Sequence, residues 1–169
     1  PFPSFDEPGF KTPFDISLTI PDDEIGVANT RQVSQTPAGK GWKTLTFAQT
    51  LPLPTYLVAF GVGPWSIANA PDISPGAYRS APLPLRGIAP AGQAHRMKHV
   101  LGEPPSILHA LQTYFGFGYP FAQLDLLAAP DFSAGAMEHS VLVTFRDCLL
   151  LPDQAPPPPR ARCPLTLPA

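Results

Sequence analysis

Apolar and polar residues alternate through much of the first 70 positions of this chain. Phe14, Ile16, Leu18 and Ile20 are separated by Asp15, Ser17 and Thr19. A period of two predicts a strand with one buried face over 14–20. Pro21-Asp22-Asp23 turns the chain, and a weaker strand candidate covers 25–33. The stretch 37–41, Pro-Ala-Gly-Lys-Gly, has hairpin-loop chemistry. Trp42, Leu45 and Phe47 against Lys43, Thr44 and Thr46 predict the returning strand over 42–47. Residues 56–62 are nearly all apolar, which predicts a strand covered on both faces. Antiparallel strands at this spacing suggest a sandwich or meander.

Pro, Ala, Ser and Gly dominate 69–84, and a domain junction is expected there. A strand over 83–89 and a helix over 93–100 follow. Ser106 reads as the N-cap of a second helix that carries Ile107, Leu108, Leu111, Tyr114 and Phe115 on one side, with Gly116 and Gly118 ending it. Two short apolar runs, 124–129 and 141–145, flank Gly135-Ala136-Met137-Glu138-His139. The fold class expected is α+β, mostly β, without internal repeats.

Composition narrows the function. The net charge is −2 with both signs dispersed, so no basic footprint for nucleic acid exists. No apolar run approaches the roughly 20 residues of a membrane-spanning helix. There are 25 prolines in 169 residues, about three times the usual share of ~5%, which favours many turns over long helices. Cys148 and Cys163 form no C-x-x-C pair and are expected to be free thiols. Nothing here indicates a cellular compartment.

Three separated blocks carry a resemblance. Phe2-Pro3-Ser4-Phe5-Asp6-Glu7-Pro8-Gly9-Phe10-Lys11 is similar to an F-P-C-F-D-E-P-x-x-K stretch, with Ser4 in place of Cys. Leu53-Pro54-Thr55-Tyr56-Leu57-Val58-Ala59-Phe60 is similar to M-S-T-Y-L-x-A-F. The third block runs from Tyr114-Phe115-Gly116 through Asp131-Phe132 to Arg146-Asp147, and its Gly135–His139 resembles G-x-M-E-N. In this order the blocks resemble the aminopeptidase N family of zinc metallopeptidases, the gluzincin aminopeptidases. The resemblance implies that 1–75 is the C-terminal part of an N-terminal β-sandwich domain. It implies that 80–151 is the N-terminal part of a thermolysin-like catalytic domain. The tail 152–169 is Pro-rich and expected to be irregular. It cannot be a continuous helix, because proline removes donors and clashes with the preceding turn.

The chemistry follows from what an aminopeptidase must recognise, a free α-amine of pKa about 7.7–8.0. A close carboxylate is its natural partner, since charge-assisted hydrogen bonds are about twice as strong as neutral ones. By resemblance Glu138 grips the amine. Gly135 and Ala136 let the peptide backbone come close and pair with it like an added strand. Met137 walls the first side-chain pocket. His139 stands where the family has Asn, and Ser140 where it has Trp. An imidazole near its reference pKa of about 6.5 would charge in mild acid and compete for Glu138. A carboxylate turned into solvent, or walled off from any cleft, would sink this reading.

Hydrolysis in the family needs zinc on two His and one carboxylate, with a general base that activates water. The resemblance places these in H-E-x-x-H and a downstream Glu, and this chain contains no H-E-x-x-H. Zinc is therefore expected in the full-length enzyme, with no metal ligand and no catalytic residue assigned here. His95, His99 and Glu103 would share one face of a continuous helix, but Arg96 stands where a metalloprotease base would be, and Gly102 with Pro104 breaks the helix. Asp6-Glu7 reads as turn chemistry.

The expected function is a fragment of a zinc-dependent aminopeptidase acting on peptides with a free N-terminus. The alternative is a catalytically inactive, zinc-less relative that binds peptides or proteins. A third reading, a small β-rich module with accidental similarity, predicts one core shared by 1–75 and 80–147.

Overall fold

The computed structural model describes residues 3–152. Four short strands come first: β1 (Ser17–Pro21), β2 (Ile25–Ala28), β3 (Gln32–Pro37) and β4 (Trp42–Phe47). β4 pairs antiparallel with both β1 and β3, giving a three-stranded sheet in the order β1-β4-β3. The expected hairpin loop joins β3 to β4, with Gly39 and Gly41 both at positive φ. The weak strand expected over 25–33 is two strands, broken at 29–31 because Asn29 turns its side chain to other work. Ile20, Ala28, Leu45 and Phe47 form a small core under this sheet, flanked by Ile16 and Leu18. The alternation of 14–20 thus buries the face it predicted.

The apolar run 56–62 is not a doubly covered strand. Thr55–Leu57 is a 3-10 turn, and only Phe60–Gly63 (β5) is extended, paired antiparallel with β2. Phe60 is 63% exposed, so this two-stranded ribbon has an open side. Gly61 and Gly63 leave too little side chain there to cover both faces.

A five-stranded mixed sheet organises the rest. It contains β6 (Trp65–Asn69), β7 (Leu85–Pro90), β8 (Leu124–Ala129), β9 (Ala136–Met137) and β10 (Leu142–Arg146), in the order β6-β7-β8-β10-β9. β7, β8 and β10 run parallel, and the edge strands β6 and β9 run antiparallel to them. Because β6 pairs with β7, backbone hydrogen bonding crosses the junction expected near 75–80.

The crossover from β7 to β8 holds two 3-10 turns, Ala94–Lys98 and Val100–Gly102, and then α1 (Pro104–Phe115). No continuous helix aligns His95, His99 and Glu103. Glu103 is instead the N-cap position of α1. Ser106 is not the cap; its hydroxyl donates to the Glu103 carbonyl at 2.9 Å. Pro104 and Pro105 start the helix earlier, since their missing N–H groups fall where helix donors are orphaned anyway. Gly116 closes it in the left-handed conformation at φ 74°. Of the expected apolar side only Leu108 is buried, while Ile107, Leu111, Tyr114 and Phe115 remain exposed. A single turn, α2 (Asp147–Leu150), follows β10.

The two faces of the five-stranded sheet bury different cores. Leu85 and Ala89 of β7 and Leu124, Leu126 and Ala128 of β8 meet Met97, Leu101, Leu108 and Leu150. Gly87 lets Met97 in, since a Cβ there would lie 2.6 Å from its sulfur. On the opposite face Ile88, Leu127 and Leu142 pack against Val27 and Ala59 from the early segment. The two halves of the chain therefore share one seam, while each keeps a core of its own.

Strand alternation puts Arg86 and Asp125 on that second face, and the β7–β8 register sets them side by side. The guanidinium donates twice to the carboxylate, Nε to Oδ1 at 2.9 Å and a terminal nitrogen to Oδ2 at 2.6 Å. Gln123 donates a third bond at 2.6 Å. Asp125 is fully buried. The ion pair raises the Arg86 pKa, against the lowering by burial. Burial first, and the nearby Asp125 charge second, push the Tyr119 hydroxyl up.

Cys148 is disulfide-bonded, not the free thiol expected. Sequence spacing outside a C-x-x-C pair says nothing about proximity in space. The expected tail, apart from Pro152, and Cys163 lie outside the described residues.

Removing one partner of a buried ion pair leaves the other charge uncompensated, at a cost of about 3–5 kcal/mol. Asp125→Ala is expected to lower unfolding stability by about 3 kcal/mol, because Arg86 keeps partial access to water. Urea denaturation of the two proteins checks this.

Candidate functional site

The sequence singled out Gly135, Ala136, Met137, Glu138 and His139, and the fold places them together at one edge of the large sheet. Ala136 and Met137 are β9 itself, opposite Phe145 and Thr144 of β10. β9 is the last strand of the sheet order, so its outer backbone edge faces away from the ladder. Gly135 and Ala136 are exposed, and Met137 is half-buried.

Arg146 holds the approach to this edge. Its backbone N–H donates to the Gly135 carbonyl at 2.9 Å. Its guanidinium donates to the Phe132 carbonyl at 2.9 Å and to the Ser133 carbonyl at 2.5 Å. Asp131, at φ 53°, starts the bend. Non-glycine residues seldom hold that conformation, though Asp is among those that do so most readily.

The far end of the motif is held by a residue that sequence reading passed over. Asn29 is 1% exposed. Its amide nitrogen donates to the Leu57 carbonyl at 2.8 Å and to the Ser140 carbonyl at 2.9 Å. Its amide oxygen accepts the Ala59 N–H at 2.6 Å. The one available signal was an amide ending an apolar run, Ile25 to Ala28, where a buried polar side chain must find partners.

Beside the motif lies an open cleft of roughly 480 Å³, floored by Leu127 and Thr144 and walled by Ala59, Phe60 and Trp65. Phe132 and His139 stand at its side. Glu138 is exposed and does not line this cleft, which is the placement that counts against its grip on a substrate amine. His139 Nδ1 lies 3.2 Å from the Thr144 hydroxyl. That hydroxyl also lies 3.4 Å from the Leu142 carbonyl, to which it can donate. Burial lowers the His139 pKa, and the Glu138 charge acts in the opposite, weaker sense. The imidazole therefore stays neutral to lower pH than an ordinary histidine.

Residues 1–57 match the Peptidase M1 N-terminal domain, and residues 100–160 match the Peptidase family M1 domain. The chain belongs to peptidase family M1. It is 35% identical over 162 residues to an aminopeptidase N of Acetobacter pasteurianus, covering 95% of this chain and 43% of that protein. It is 33% identical over 153 residues to a puromycin-sensitive aminopeptidase of Caenorhabditis elegans, covering 90% of this chain and 15% of the relative. Aminopeptidase 2 of Candida albicans is 37% identical over 152 residues, covering 90% of this chain and 16% of the relative. The chain thus spans less than half the length of each of these proteins. Similarity over both segments, in the same order, removes the reading of an accidental likeness. Of the seam residues, Val27 lies in the first matched segment and Leu127 and Leu142 in the second.

The depressed His139 pKa has a stability consequence. The folded state resists protonation there, so below about pH 6.5 the unfolded chain binds more protons. Stability is expected to fall as pH drops from about 6.5 through the lower folded-state value. His139→Gln removes that part of the slope. Thermal melts of both proteins between pH 7.5 and 5 measure it.

Proposed function

We propose that this chain is the part of a zinc-dependent aminopeptidase that recognises the substrate's N-terminus. In this reading Glu138 accepts the charged α-amine, and β9 offers its outer edge to the peptide backbone. Gly135 and Ala136 keep that edge bare, and Met137 walls the pocket for the first side chain. His139 stands in for the usual Asn, donating a hydrogen bond while its ring is neutral. The observation that carries the reading is the motif's position on an antiparallel edge strand; the exposure of Glu138 outside the cleft counts against it. A peptide adding to that edge presents its terminal amine near Glu138 without displacing any existing strand.

Zinc supplies the activated water in enzymes of this class. Among the described residues no group of three or more His, Cys, Asp or Glu could hold a metal ion. No step of hydrolysis is assigned to the described residues. No described helix is long and apolar enough to cross a membrane.

An exposed carboxylate sets the scale of the grip. Exposed ion pairs contribute about 0.2–1 kcal/mol, up to about a fivefold preference. In NMR titrations the 169-residue chain is expected to bind a short peptide with a free N-terminus about fivefold more tightly than its N-acetylated form. Glu138→Gln is expected to erase the difference while leaving the affinity for the acetylated peptide unchanged. Equal binding of the two peptides by the unaltered chain sinks the reading. The purified chain, given zinc and an aminoacyl chromogenic substrate, is expected to show no turnover. Release of product that a chelator abolishes would contradict this.

A further inference from the structure

We infer that Asn29, from the early segment of the chain, is a positioning residue for amine recognition. It acts through the backbone at Ser140 and rests on the role of Glu138 argued above. Three observations meet at this point. First, the Ser140 carbonyl accepts two hydrogen bonds, from Asn29 at 2.9 Å and from the Leu142 N–H at 2.9 Å. The second of these closes a three-residue γ-turn centred on Val141. Second, Val141 sits at φ 70°. Positive φ at a β-branched residue is an outlier, and a γ-turn of this sign is rare and strained. Such a conformation persists only when its surroundings over-determine it. Third, the Val141 carbonyl accepts the Asp125 N–H at 2.8 Å, and the side chain is buried, so the turn is gripped on its other side as well.

Glu138 lies two residues before Ser140. Toward the start of the motif, Arg146 fixes the Gly135 carbonyl and the two carbonyls of Phe132 and Ser133. Toward its end, the Asn29 side chain holds the Ser140 carbonyl from outside the large sheet. Asn29 is itself set by the Leu57 carbonyl and the Ala59 N–H. It therefore transmits the position of the stretch 57–59 to the end of the recognition loop. Ala59 also lines the cleft beside His139, so the same amide fixes one cleft wall and the loop that bears Glu138.

The test uses the 169-residue chain and compares a free-amine peptide with its N-acetylated form by NMR titration. Asn29→Asp keeps the acceptor for the Ala59 N–H and removes both donors. The expected result is that the roughly fivefold preference for the free amine falls to within twofold, with the acetylated peptide still bound as before. A purely structural role would lower thermal stability and leave the preference intact, and that outcome in a folded variant overturns the inference. If Asn29→Asp does not fold, the unaltered chain decides. The side-chain amide resonances of Asn29 are expected to shift on adding the free-amine peptide and not the acetylated one. Resonances unmoved by both peptides overturn the inference. Absence of any preference in the unaltered chain instead overturns the role of Glu138, which separates the two failures.

Discussion

A buried amide must be paired, because leaving one unpaired costs about 1–3 kcal/mol for each lost partner. Asn29 satisfies that demand with three main-chain groups drawn from two distant stretches of the chain. Two of them lie just before β5, and the third lies just past the motif, 111 positions beyond Asn29 itself. Ile88, Leu127 and Leu142 press against Val27 and Ala59 around it. Apolar contact of this kind is non-directional and would tolerate a sliding of one half over the other. The amide does not tolerate it, since any slide orphans a donor or an acceptor. The amide thus adds a directional pin to a registry that the β6–β7 backbone ladder also fixes.

The large sheet solves a related problem with charge. β8 is apolar except for Asp125, and a lone carboxylate at 0% exposure would be far too costly to keep ionised. Parallel pairing of β7 with β8 brings Arg86 level with it, and Gln123 takes one more lone pair. Asp125 also donates its own backbone N–H to the strained Val141. The ion pair, the γ-turn and Asn29 thus form one connected polar network beside the loop that follows β9. The loop needs no contribution from the exposed apolar side of α1, which lies in the β7–β8 crossover.

Much of this was readable from residues alone. Period-two alternation located β1 and β4 and the faces they bury, since a strand's side chains point where its neighbours in sequence dictate. The apolar run in β8 and the hairpin glycines were equally local signals. The run 56–62 misled, because apolar content does not distinguish a covered strand from a turn with an open ribbon. Ser106 misled because the two prolines before it had already begun the helix. Cys148 misled because bonding in space leaves no trace in spacing.

The motif Gly135–His139 is a property of the sequence by itself, as are the family it announces and the want of an H-E-x-x-H. These are contiguous patterns, and residue identity is enough to state them. Only the tertiary structure made that motif an edge strand. It alone seated His139 in a partly buried niche against Thr144, and left Glu138 facing water. It alone brought Asn29 to Ser140 and Arg86 to Asp125. Each of these pairs joins positions at least 39 residues apart, and contacts over such distances are decided by how sheets stack, which no local pattern encodes.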